Sequence, residues 1–167
     1  MAAPGEVLRN VAIFGALSDE TLAFLEDRLE HVLVPAGELF FEEGEMGDAV
    51  YVLESGRAEV EKCRDGRRIV LASLEEGACF GEIALVAICP RSASVRAVED
   101  CRAARLANRV LFELHGRDLE QFTLLQMNLG REIARRLNDT SELLFQHMLV
   151  EAERDSLVSG RLGHALK

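Results

Sequence analysis

Gly81, Glu82 and Arg91 have residue types and a spacing suited to holding a phosphate group. Gly81 follows a β-type run and precedes the apolar stretch Ile83-Ala84-Leu85-Val86, so the sequence predicts a short helix opening at Gly81 and Glu82. The first amides of a helix have no partner within it and attract an anion. Gly81 lacks a Cβ, which lets backbone donors approach a phosphate closely. Arg91 can fork onto two phosphate oxygens, Pro90 stiffens the approach to it, and Ser92 adds a hydroxyl donor. From Ser92 onward the run Ser-Ala-Ser-Val-Arg-Ala-Val is small or β-branched, as suits a tightly packed strand lining a pocket. Taken singly, Glu82 reads as a helix-start carboxylate and Arg91 as a surface charge. Their joint position favours the phosphate chemistry.

The elements that must position these residues fall into three blocks. Ser18 with Asp19 and Glu20 predicts a capped lead helix, along which Leu22, Leu25 and Leu29 recur at helical spacing. From His31 to Ala107, short β-type runs alternate with turns at Pro35-Ala36-Gly37, Glu43-Gly44, Ser55-Gly56, Asp65-Gly66 and Glu76-Gly77. Asp65-Gly66 between two β runs is a strong hairpin signal. Beyond Asn108, read as a cap, a short helix runs to Leu114 and stops near Gly116. Asp118 and Gln121 then resemble a capping box for a much longer helix. No proline interrupts Leu119 to Val158, a stretch that would span on the order of 60 Å as one helix, with Gly130 as a place to bend. The expected class is α+β, a β-roll or jelly roll of about eight short strands between an N-terminal helix and a long C-terminal helix.

Length and composition are consistent with one domain over residues 1–167, divided into a helical segment 1–30, a β-roll 31–107 and C-terminal helices 108–167. A net charge of −10 argues against nucleic-acid binding by the chain as a whole. The arginine clusters Arg64-Arg67-Arg68 and Arg135-Arg136 are interleaved with acids and read as solvated faces. No apolar run approaches the roughly 18 residues of a membrane span, and MAAPGEVLRN lacks a signal-peptide core. Cysteines at 63, 79, 89 and 101 show no paired spacing, so a reducing cytoplasm is expected.

The run FGEIALVAICPRSASV, residues 80–95, closely resembles the phosphate-binding cassette of the cyclic nucleotide-binding family, which includes the bacterial catabolite activator protein and protein kinase A regulatory subunits. Val34-Pro35-Ala36-Gly37-Glu38 through Phe41, Gly44-Glu45 and DAVYVLESG from Asp48 to Gly56 resemble the first half of that family's β-roll. The loop Val86-Ala87-Ile88-Cys89 is more apolar than the glycine-containing loops usual there. The resemblance implies that Arg91 pairs with the cyclic phosphate and that Glu82 accepts the ribose 2′-hydroxyl. It implies further that the amides near Gly81, Glu82, Ile83 and Ala84 complete the cradle, with Phe80, Ser92 and Ala93 beside them.

Ala134-Arg135-Arg136-Leu137 followed by Thr140-Ser141-Glu142 resembles the family's long helix. By that resemblance Thr140 contacts the base from its own subunit and Ser141 reaches it from the other, which favours cAMP; Ser92 leaves cGMP as the alternative. Ile133, Leu137, Thr140 and Leu144 alternate offsets of four and three, with Met148 continuing imperfectly, as in a two-helix seam. A homodimer through this helix is expected, against the bland reading that the stripe packs on its own β-roll.

The implied function is a non-catalytic regulatory module that binds a cyclic nucleotide, needs no other cofactor and acts on an effector protein the sequence does not identify. A cupin-type metalloenzyme would need clustered histidines, whereas His31, His115, His147 and His164 are scattered. Cys89 lacks a histidine nearby in sequence for nucleophilic catalysis. A transcription regulator of this family appends a helix-turn-helix, for which Ser159 to Lys167 is too short, so the chain is expected to be a stand-alone sensor or the sensory piece of a larger protein.

Overall fold

Alternation of side chains along the strands produces two sheets with a core on each side of one of them. In this computed structural model, residues 6–87 and 89–164 are described, so Ile88 of the cassette loop and the last three residues of the tail lie outside them. The strands are β1 (Glu30–Val34), β2 (Leu39–Phe41), β3 (Ala49–Ser55), β4 (Ala58–Arg64), β5 (Arg67–Leu74), β6 (Cys79–Phe80), β7 (Ser94–Ala97) and β8 (Cys101–Ala107). The helices are α1 (Glu6–Arg9), α2 (Asp19–Glu26), α3 (Ile83–Ala87), α4 (Asn108–Arg117) and α5 (Leu119–His164). The strands pair antiparallel in the orders β1-β8-β3-β6 and β2-β7-β4-β5, which is the expected β-roll.

β3 is buried on both faces. Val50 and Val52 point to a core shared with Leu8, Ile13, Phe14, Leu22 and Leu25 of the N-terminal segment and with Val110, Leu114, Leu125 and Leu129. Ala49, Tyr51 and Leu53 point the other way, into the space between the sheets, with Phe41, Leu74, Phe80 and Val95. Each large apolar side chain so buried contributes roughly 1.5–3 kcal/mol, so the two cores fix β3 and the strands beside it.

The turns and caps follow local chemistry. Asp65 and Gly66 have φ of 52° and 72°, the double left-handed step that lets a two-residue turn follow the twist of β4 and β5. Ser18 caps α2 by accepting the Thr21 amide at 3.2 Å, while Leu29 falls beyond the helix end and packs against the core. Asn108 is the first residue of α4 rather than its cap: Ala107 holds the extended cap position, and the Asn108 amide, without a partner inside the helix, donates to Asp48 O at 2.7 Å. Only half of the capping box at α5 forms. Asp118 Oδ1 accepts the Gln121 amide at 3.0 Å, but Gln121 Oε1 accepts the Ser18 amide at 2.8 Å instead of turning back to Asp118.

The described residues group into one compact unit up to Gly130 and a second from Arg131. α5 continues through Gly130 as helix. In the second unit Arg135 and Arg136 pair with Glu132, and Arg135 with Asp139 at 2.8 Å, so these arginines form a solvated face laced with acids. Among the described residues, no helix is long and apolar enough to cross a membrane, and no group of three potential metal ligands forms.

On the second sheet Glu61 is almost fully buried between Arg96, at 3.0 Å, and Arg68, which also holds Glu59. Burial pushes the Glu61 carboxyl up, but the hydrogen bonds from Arg96 and Arg68 outweigh it and hold the group below the usual carboxylate range. A depressed folded-state pKa gives stability that is present above the unfolded value, about 4.3, and lost as pH falls through the folded value. Thermal melts between pH 7 and pH 3 should therefore show an acid limb that Glu61→Gln makes shallower. An unchanged slope would rule out this carboxylate as a contributor.

Candidate functional site

The chain leaves β6 at Phe80 and turns sharply at Gly81, where φ is +79°. Side chains adopt this conformation poorly, and a Cβ here would stand 2.6 Å from Arg91 Nη1 and 3.3 Å from Ala49 O. Gly81 is therefore needed for a second reason beside close approach to a phosphate: the arginine itself occupies the space. α3 begins at Ile83, so Gly81 and Glu82 form a turn ahead of the helix rather than its first residues. The left-handed φ at Gly81 accounts for the displacement, since it cannot belong to a right-handed helix.

Arg91 is placed by its own backbone. Its amide donates to Glu45 O at 2.8 Å, its carbonyl accepts the Gly44 amide at 2.9 Å, and Pro90 bridges to Met46. From this clamp the side chain runs inward, with 6% of the residue exposed. Nη1 donates to Gly81 O at 2.8 Å and Nη2 to Ala49 O at 2.9 Å. The Arg91 Cζ lies 4.0 Å from the centroid of the Phe41 ring and 5.9 Å from that of Tyr51. Burial pulls the arginine below its ordinary pKa, opposed by the more distant Tyr51, Asp48 and Glu45. Among the described residues no carboxylate lies within ion-pair distance of Arg91.

The other expected site residues differ in exposure. Glu82 is buried, Ala93 is buried and Ser92 is exposed on the step into β7. Phe80 stacks on Tyr51 with ring centroids 5.3 Å apart and packs edge-on to Phe40, so its ring is part of the core behind the turn. Ile83 is exposed, and the Ala84 side chain lies outside the described set. Thr140 and Ser141 belong to the second unit, where their hydroxyls donate to Arg136 O at 2.8 Å and Leu137 O at 2.9 Å. Both are exposed.

Sequence reading missed two parts of this site. The carbonyl of Ala49 and the ring of Phe41 reach Arg91 through sheet pairing, from strands that local spacing does not connect to the cassette. The repeated aromatic pair Phe40-Phe41 on a β run was the available signal.

The family model for the cyclic nucleotide-binding domain matches residues 31–118, the stretch that holds this turn, the short helix and the buried arginine. The chain belongs to the cyclic nucleotide-binding domain family. It is similar to a cAMP-dependent protein kinase regulatory subunit from Emericella nidulans, with 39% identity over 99 residues, 59% of this chain and 24% of that protein. It also resembles the solved N-terminal domain of a transcriptional regulator from Streptomyces coelicolor, with a TM-score of 0.70 and 30% identity over 81% of this chain and 94% of that one. The Thermus thermophilus catabolite activator protein gives a TM-score of 0.69 and 30% identity, over 80% of this chain and 61% of that one. The chain thus spans about a quarter of the curated kinase regulatory relative.

In this cyclic nucleotide-binding domain the turn at Gly81 and the arginine must fit together. Gly81→Ala should lower stability by roughly 1–3 kcal/mol, the cost of a strained left-handed residue, and should displace Arg91. Urea unfolding that matches the parent would contradict the close approach of the two residues.

Proposed function

We propose that the chain is a regulatory module that binds cAMP and changes conformation on doing so. One observation supports this above all others. Arg91 is a buried cation whose hydrogen bonds go to two carbonyls and, among the described residues, to no carboxylate. Burying a charge without a counter-charge is costly, so the site is set up to gain from an entering anion. Of the five guanidinium N–H donors two are committed, which leaves three for phosphate oxygens.

In this proposal Arg91 and the amides near Gly81, Glu82, Ile83 and Ala84 hold the cyclic phosphate. The Glu82 carboxylate accepts the ribose 2′-hydroxyl, Ser92 and Ala93 border the phosphate, and Phe80 packs behind it. Thr140, and Ser141 from a second subunit, contact the adenine, which requires their hydroxyls to exchange helix carbonyls for the base. Leu137, Leu144 and Met148 are exposed on α5, and their heptad-like spacing supports a homodimer through that helix. No bond is made or broken: ligand that binds one arrangement of the cassette and α5 more tightly shifts the population toward it. The module works in the cytoplasm and passes this shift to an effector protein. The Streptomyces neighbour, matched over 94% of its length, favours a second version in which the module is the sensory part of a transcription regulator.

Calorimetric titration with cAMP, cGMP and 5′-AMP tests ligand class and selectivity together. Arg91→Ala should weaken cAMP binding by roughly 2–5 kcal/mol, and Arg91→Lys should weaken it too because the fork is lost. Unchanged affinity in Arg91→Ala would overturn the assignment. Thr140→Ala should narrow the difference between cAMP and cGMP more than it lowers total affinity; an equal loss for both nucleotides would remove the base contact.

A further inference from the structure

We propose that Phe41 is the positioning residue for the phosphate-binding arginine, its ring face holding the Arg91 guanidinium in one plane without neutralising it. The proposal rests on the cyclic nucleotide reading and adds a residue to it. Gly81 O and Ala49 O fix two N–H groups at the edge of the guanidinium, at 2.8 and 2.9 Å, but a planar group bonded only along its edge can still tilt. The Phe41 ring, 4.0 Å from Cζ, removes that freedom and lies well inside the range of about 6 Å over which a ring face attracts a cation.

The ring is itself fixed. Phe41 is buried, pairs in register with Val95 of β7, and leans on Tyr51 and Phe80 with centroids 5.8 and 6.1 Å away. The choice of an aromatic face has a chemical consequence. A carboxylate against Arg91 would also stabilise the cation, but a phosphate would have to displace it. A ring stabilises the charge and leaves the remaining donors to the ligand. Phe40, its neighbour in sequence, stands edge-on to Tyr51 and Phe80, and no guanidinium lies over its ring among the described contacts. It therefore serves as an internal control.

The test replaces Phe41 by phenylalanines carrying one, two and three ring fluorines, which drain the negative ring face while nearly preserving shape. The same series is made at Phe40, and cAMP and cGMP affinities are measured beside melting temperatures. Affinity should fall stepwise across the Phe41 series, to about tenfold in total, with a small graded fall in melting temperature and both readouts flat in the Phe40 series. A flat Phe41 series, or an equal fall in both series, in a protein whose binding is still lost in Arg91→Ala would overturn the role of Phe41 and leave the arginine's role standing. Parent protein that binds neither nucleotide would remove the ligand reading and this proposal with it.

Discussion

A guanidinium taken out of water between two β-sheets is the constraint around which the rest of this molecule is arranged. Arg91 enters from the strand side of β7 and bonds to the carbonyl of Gly81, just beyond β6, and to that of Ala49, at the start of β3. It therefore ties the second sheet to the first. Its charge is met by dipoles and a ring face rather than by an acid, which is a costly way to stabilise a protein and a useful way to receive an anion. The neighbouring features are consequences of this. Gly81 must lack a Cβ, Gly44 and Glu45 must hold the arginine's backbone, and the aromatic rings must fill the space that a polar partner would otherwise occupy.

Such a site needs a rigid frame, and the frame is β3. Its two faces enter two separate hydrophobic cores, so displacing the strand would open both. The N-terminal helices and α4 seal the outer core, and the inter-sheet core carries the rings that support Arg91. Several acids pair with arginines, as at the buried Glu61 and at Glu43 and Glu132. In contrast, the arginine with the least exposure has no such partner among the described residues.

Local chemistry made much of this legible in the sequence. The Asp65-Gly66 hairpin, the Ser18 cap and the turns between short β runs follow from what those side chains and glycines allow over three or four residues. That Gly81 and Arg91 belong together was legible because they are close in the chain, and the structure joins them through Nη1 and Gly81 O. What sequence could not supply depends on long-range pairing. The start of α3 moved to Ile83 because the arginine and the left-handed turn at Gly81 act together. Gln121 left its own cap for the Ser18 amide, and the Asn108 amide went to Asp48 O, each through a partner far along the chain. Phe41 reaches Arg91 only because β2 lies beside β7. For Thr140 and Ser141, resemblance supplied a role that their position on a single helix does not test.

The central claim is that Arg91 waits for a cyclic phosphate. It is tested most directly by the crystal structure of this chain grown with cAMP. The account predicts a phosphate inside the β-roll, its oxygens about 2.7–3.0 Å from the Arg91 nitrogens and from amides near Gly81, with the guanidinium still lying over Phe41. An empty roll in saturating ligand, or a nucleotide bound elsewhere with Arg91 turned onto a protein carboxylate, would contradict it.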